Sequence, residues 1–530
     1  MRKYHKHHCR YFVGALICVL FSTVFAVVLQ FFKGDVLDFA VAGQVWQTIR
    51  SAVLLIGFIL LEVISYYFFQ RLSAKYAIGC ISELRTDVLS SILARSYVDF
   101  KKHPQGDYIS KYMTEAEAIR DRRFRMLPML YEIVFRIVLV SAALFWLDWR
   151  VAVITIILLT TPLYVPKIIE SKLQKAQTAY LRAMEDNLTK VTDWLSGFEI
   201  IKNYAIEHVI KKQFGTINEE AMEKLLRDTH LGAVSQLITT LISYLSYFVV
   251  LVCATCLVIS GAFSAGDFFV AIGMIDQLSY PLISLAGIIR QLISVKPACR
   301  EMEAFLLDSQ NEQKMRAEQE LKASICFKDV SFGYNGQRRI LDGFDLTIEK
   351  GKRYLLKGPS GCGKTTAINL LLRYYDADGG CIEIDGVPIN HLDNTYDLIT
   401  VVRQEATLFH DTLRNNLTMY QEISDDKLIQ ALQSVGMERY ADKEALDGMI
   451  TEGGANYSGG EKKRICLARA LLRDTDVLIL DEPLANLDLQ TSEKIEELLL
   501  SIPNKTILVV SHQFTRSKLN CFDQVIEFST

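Results

Sequence analysis

The apolar positions of this chain follow two regimes. In the first part they gather into six long runs, at 11–32, 51–69, 129–147, 151–169, 232–259 and 268–293. Each is close to the ~20 apolar residues that a helix needs to cross a bilayer. Beyond them no such run occurs. Instead, from about residue 325 short alternating segments such as ICFKDVSFGY and RYLLK, with the period of strands, are interleaved with TTAINLLLRYY, DKLIQALQSVG and EKKRICLARALLR, with the period of helices. The pattern predicts a helical six-span membrane domain over 1–305, a charged linker over 306–322 and an α/β domain over 323–530, the latter with an added antiparallel sheet.

The connections between the apolar runs are of two kinds. LDWR and SGAFSAGD are short turns, whereas 71–128 and 170–231 are long and polar. Lys and Arg crowd the long stretches and the start, MRKYHKHHCR. The positive-inside rule therefore assigns these stretches, the N-terminus and the α/β domain to the cytoplasm of an integral membrane protein, expected in a bacterial plasma membrane. A helical pair of about 25 residues each way, at ~1.5 Å per residue, reaches on the order of 35–40 Å beyond the bilayer. The first run is long enough to span and lacks a small-residue cleavage site, so it reads as a retained helix rather than a signal peptide. His5, His7 and His8 read as a basic flank rather than a metal site.

Composition sharpens this picture modestly. The chain has 530 residues, 50% hydrophobic and 22% charged, with a formal net charge of −3. That balance gives no overall basic character, so no nucleic-acid partner is expected. Eleven cysteines show no repeated spacing and read as free thiols. Charged residues inside the apolar runs stand out because each costs about 2.5–3.5 kcal/mol at a bilayer centre unless paired or wet. Glu132 and Arg136, four apart on a helix, suit a pair; Glu62 and Asp276 are candidates for lining a substrate path.

The α/β region carries the chemistry. GPSGCGKTT, spanning Gly358, Pro359, Ser360, Gly361, Cys362, Gly363, Lys364, Thr365 and Thr366, follows the strand RYLLK and opens a helix, as a phosphate-binding loop requires. Backbone N–H groups at a helix N-terminus hold phosphates, Lys364 reaches the β and γ phosphates, and the Thr365 hydroxyl suits Mg²⁺. VLILDEP then reads as a buried strand ending in Asp481, an Mg²⁺ partner, and Glu482, placed to activate an attacking water. ATP and Mg²⁺ are the expected ligands.

Between these lies YSGGEKKRICLARALL, which resembles the signature motif of ABC transporters; Ser458, Gly459 and Gly460 would contact a γ-phosphate held by an opposite cassette. The resemblance extends to Tyr334 as the adenine-stacking aromatic, Gln404 as the Q-loop glutamine sensing Mg²⁺, Asp488 as the D-loop acid and His512 as the switch histidine. Tyr457, Glu461 and Ala485–Asn486 depart from the usual residues, and Thr530 follows DQVIEF without the Gly-rich tail of relatives. HPQGDYISKYMTEAEAIRD, LFWLDWRVAVITI and WLSGFEIIKNYAIEH resemble the exporter branch, of the type IV fold. By that resemblance, short coupling helices near Thr114–Ala118 and Asn203–Glu207 would press into cassette grooves. No peptidase segment stands ahead of the first run, so the leader-cleaving type is not expected.

One chain holds one phosphate loop and one signature, so the resemblance implies two chains, identical or different. The expected activity is ATP-driven export of a peptide, lipid, drug or other amphipathic molecule. An ATP-gated regulator without pumping, or an importer of the same fold for a cargo such as a siderophore, are the alternatives.

Overall fold

A computed structural model describes residues 1–161, 165–308, 320–334, 339–359, 361–392, 395–484, 489–511, 514 and 516–528. It forms two compact units. The first comprises Met1–Leu93 and Gln105–Ser309, the second Ala94–Pro104 and Gln310–Thr530.

The first unit is helical. A short helix α1 (Arg2–His7) leads into α2 (Cys9–Val41) and α3 (Val45–Leu93). After a short helix α4 (Tyr97–Lys101), helical turns from Gln105 run into α5 (Met126–Leu147). They are followed by α6 (Trp149–Thr160), α7 (Val165–Ser196), α8 (Phe198–Asn203), α9 (Glu207–Ile259), α10 (Ala265–Ser294) and α11 (Lys296–Asp308). Among the described residues five helical stretches are long and apolar enough to cross a membrane: Cys9–Val41, Val45–Leu93, Gln105–Leu147, Glu207–Ile259 and Ala265–Leu307. A further apolar helix, Trp149–Leu158, is shorter, and the expected run 151–169 continues through positions outside the described residues.

Helices α2 and α10 approach closely because small residues face each other. A Cβ on Gly34 would lie 2.9 Å from the Gly266 carbonyl oxygen, which is the backbone proximity that small residues permit between membrane helices. The same contact is pinned by Asp38, whose carboxylate accepts the Gly266 N–H at 2.7 Å and the Ser264 hydroxyl at 2.6 Å. Below it Val140, Leu144, Val250, Met274 and Leu278 form a buried apolar cluster. Arg136 and Glu132 pair at 3.5 Å, as their spacing predicts, whereas Asp276 is exposed on its helix. The eleven cysteines are free.

The sequence expectation for the loop helices needs correcting. Thr114–Ala118 lie in helical turns continuous with the approach to α5, which include π-helical turns at Lys111–Glu115 and Arg120–Phe124. The short separate helix is α4, ahead of them, and it belongs to the cassette unit. Its start is set by Ser96, whose hydroxyl accepts the Asp99 N–H. In the second long loop the short helix is α8, ending at Asn203 rather than beginning there.

The second unit holds two sheets. Strands β1 (Ser324–Phe332), β2 (Leu341–Glu349), β4 (Gly379–Ile384) and β5 (Val387–Pro388) form an antiparallel sheet in the order β2-β1-β4-β5. Strands β3 (Arg353–Lys357), β6 (Ile399–Val402), β7 (Val477–Asp481), β8 (Thr506–Val510) and β9 (Gln524–Glu527) form a parallel sheet in the order β6-β7-β8-β3-β9. Strands β7 and β8 are buried at every position, which is why their sequences are unbroken apolar runs rather than alternations. Asp385 clamps the start of β1: its carboxylate accepts the backbone N–H groups of Lys322, Ala323 and Ser324 at 2.7–3.0 Å. Burial opposes ionisation of that carboxyl, but the three donors outweigh it and hold it below the usual range.

Candidate functional site

Strand β3 delivers the chain to the phosphate-binding loop, and helix α12 (Lys364–Leu371) leaves it. Gly358, Gly361 and Gly363 have φ of 153°, 83° and 103°, a region open to glycine at little cost. Space is also limiting, since a Cβ on Gly363 would meet Leu341 at 2.9 Å. Helix α12 starts at Gly363 without a side-chain cap or an acidic residue in its first turn. Its first N–H groups and the positive end of its dipole therefore point into the loop. Lys364 is buried and arches back to donate to the carbonyl oxygens of Gly358 at 2.7 Å and Pro359 at 2.9 Å, with the Cys362 sulfur at 3.6 Å. Ser360 lies outside the described residues.

Parallel pairing of β7 with β6 and β8 brings the acidic end of β7 beside this loop. Asp481 is only 4% exposed. Burial pushes its carboxyl up, while Arg403, Lys364, Lys463 and a hydrogen bond with Thr365 favour the charged form. A buried carboxylate and a threonine hydroxyl in contact are a hard oxygen donor pair, which fits Mg²⁺. Glu482 has φ of 51°, a left-handed conformation uncommon for a residue with a side chain. It is held there by its own N–H, which donates to Val510 O at 2.9 Å, and by its carbonyl oxygen, which accepts from Lys463. Lys463 is 5% exposed, and burial pulls its ammonium down.

The remaining sequence candidates distribute as follows. Tyr334 packs edge-on to Phe332 and Tyr375, at 5.0 and 5.1 Å between ring centres, with its hydroxyl 3.4 Å from the Thr366 hydroxyl. Gln404 is exposed just beyond β6. Ser458 caps helix α14, counting a helix α13 at Asp425–Ser434 before it; α14 spans Gly459–Leu472. Ser458, Gly459 and Gly460 sit at its open end, the first two exposed. Asp488 and His512 lie outside the described residues.

The two unusual residues of the signature have structural reasons. Glu461 closes a capping box, accepting the Ser458 N–H at 2.8 Å while the Ser458 hydroxyl accepts the Glu461 N–H. Its other oxygen accepts the Tyr440 hydroxyl at 3.2 Å. Tyr457 is buried against Tyr440, ring centres 5.1 Å apart. The aromatic and the acid are thus one local packing unit.

Sequence reasoning missed Arg403. Its guanidinium donates to the Asn369 side chain at 2.7 Å, lies 3.7 Å from the Asp481 carboxylate, and covers the Tyr374 ring at 4.9 Å. Tyr374 in turn stacks on Tyr97 of α4 at 3.8 Å. The available signal was a lone cation placed immediately after a buried strand and before Gln404.

Comparison with known proteins identifies both parts of the chain. The model of the ABC transporter transmembrane region matches residues 12–282, more than half of the chain, and that of the ABC transporter cassette matches 341–485. The chain belongs to the ABC transporter family. It is an ATP-binding, ATPase-coupled transporter chain in which one membrane region is fused to one cassette. An ATP-dependent lipid A-core flippase of Haemophilus ducreyi is 28% identical over 482 residues, spanning 88% of this chain and 82% of the relative. The uncharacterized ABC transporter ATP-binding protein YwjA of Bacillus subtilis is 26% identical over 519 residues, spanning 96% and 89%. A solved bacterial Atm1-family ABC exporter with ATP bound shares the fold, with a TM-score of 0.78 at 21% identity, over 98% of this chain and 93% of that one.

Proposed function

We propose that this ABC transporter chain is one half of a dimeric pump that exports an amphipathic molecule, a lipid in the first instance, from the cytoplasmic side of a bacterial plasma membrane. The observation that carries the reading is an asymmetry within the cassette. Lys364 and Asp481 are buried and braced, whereas the signature residues Ser458 and Gly459 are exposed. The N–H groups of Gly459 and Gly460, outside the capping box at that helix N-terminus, suit an anionic phosphate, and a second cassette would bring one. The lipid preference rests on the flippase relatives.

In this reading Tyr334 stacks on adenine, the loop N–H groups from Gly361 to Thr366 hold the phosphates, and Lys364 exchanges its two carbonyl partners for phosphate oxygens. Thr365 and Asp481, with Gln404, would hold Mg²⁺, which supplies charge neutralisation between the β and γ phosphates. Glu482 orients and deprotonates the attacking water, and His512 and Asp488 complete the γ-phosphate surroundings. ATP favours cassette closure because it contacts both cassettes only in the closed state. Helix α4, which follows membrane helix α3 and is stacked on Tyr374, transmits that closure.

The test is transport. Purified protein in lipid vesicles carrying a fluorescent lipid should move that lipid between leaflets only with hydrolysable ATP. Movement toward the cassette-bearing side would establish an importer. ATP turnover with no movement of lipid, peptide or drug probes would establish a gated regulator.

A further inference from the structure

Helix α1, the turn before α5 and helix α11 converge on a cavity of about 440 Å³ in the first unit, lined by Arg2, Lys3, Arg123, Lys296, Arg300 and Glu303. The floor is rigid: Tyr4, Tyr76, Phe124, Cys299 and Met302 form a buried cluster beneath it. Helix α1 is fastened to α3 by Tyr4 and Lys3, which both donate to Asp87, and by His7 and His8, which face Glu83. These contacts occupy the nearby carboxylates, and Glu303 is taken by the amino group of Met1. Among the described residues Arg2, Arg123, Lys296 and Arg300 make no ion pair. Four cations thus face one cavity with no countercharge of their own.

The cavity also lies near the ends of apolar runs. Arg123 lies six residues before the apolar run 129–147, and Lys296 three residues after the run 268–293, within about 9 Å of helix rise from the apolar stretches. Phe12 of α2 packs edge-on to Tyr131 of α5 at 5.6 Å just beyond, aromatic residues being typical of the membrane boundary. Guanidinium forks and ammonium groups at headgroup level match phosphate oxygens, and basic pockets between membrane helices bind anionic lipid headgroups.

We infer that this cavity is a binding site for a phosphate-bearing anion at the polar edge of the membrane domain, with the headgroup of an anionic lipid as its occupant. It is formed by residues of the membrane unit alone.

The experiment compares full-length protein in vesicles of phosphatidylcholine with and without phosphatidylglycerol, reading retained lipid by native mass spectrometry after extraction. Wild-type protein should retain phosphatidylglycerol over phosphatidylcholine, less so as salt is raised. The combined R123Q, K296Q and R300Q substitutions should weaken retention about a hundredfold, on the order of fivefold per cation. R123K, K296R and R300K together should preserve it. Competition by inorganic phosphate would establish free phosphate as a second source of the same chemistry; its failure to compete would assign the site to lipid. Equal retention of the two lipids by wild-type protein, at any salt, overturns the inference without need of a variant. Undiminished retention in a glutamine variant whose melting temperature matches wild type overturns it as well.

Discussion

The two cassette surfaces to which the proposed function assigns nucleotide contacts are built on opposite principles. On one, β3, α12 and β7 converge so that Lys364 and Asp481 are buried, with Arg403 and Lys463 close to Asp481 and the Thr365 hydroxyl bonded to it. On the other, Ser458 and Gly459 stand exposed at the start of α14, where the capping box with Glu461 fixes the turn. The first surface is complete within one chain, because its charges need low dielectric and close partners to be set. The second is shaped but left open, as fits a surface that works only against another cassette. Under the proposed function, the difference teaches that burial marks the half-site that does its chemistry locally, and exposure marks the half contributed elsewhere.

The comparison can be broken most directly at Lys364. Lys364→Ala should lower ATP turnover by at least about a hundredfold, the scale of losing one preorganised charge contact in a closed site. Glu482→Gln should leave ATP binding intact and slow turnover by about 10²–10⁴, measured as retained nucleotide against released phosphate. A sharper test mixes two inactive chains. If Ser458→Arg also abolishes turnover, coexpression with Lys364→Ala should restore it, since one site then joins an intact loop from one chain to an intact signature from the other. No recovery in purified mixed dimers would mean that loop and signature act within a single chain.

Smaller effects probe the braces. Arg403→Ala should reduce turnover about fivefold, corresponding to the ~1 kcal/mol of a partly exposed ion pair. Tyr97→Ala, at the far end of the same stack, should lower transport per ATP hydrolysed. Asp385→Asn removes an acceptor that clamps β1 and should cost about 1–3 kcal/mol of cassette stability. Its folded carboxyl lies below the ordinary value, so this stabilisation is present above the unfolded pKa of about 3.9 and is lost as pH falls through the folded value. The melting difference from wild type should therefore be full at pH 7 and shrink below about pH 4.

Much of this was legible in the sequence, and the reasons are local. A phosphate loop needs glycines at fixed intervals after a strand, and β7 and β8 are buried on both faces, so their residues read as apolar runs. The apolar helices announce themselves because lipid tolerates few alternatives. What the sequence placed wrongly was the short helix of the first long loop, since its residues Tyr97–Lys101 carry no periodic signal and their grouping with the cassette depends on a stack between Tyr97 and Tyr374 that are far apart in the chain.

The sequence by itself determined the class of protein, the order of its parts and the residue types of the proposed nucleotide site, because each follows from contacts within a few positions along the chain. Only the tertiary structure decided which cation stands against Asp481, why Tyr457 and Glu461 replace the usual signature residues, and which basic residues share a cavity. Those pairings join segments whose separation in sequence is large, and nothing in local periodicity encodes a distance between side chains that meet only when the elements pack.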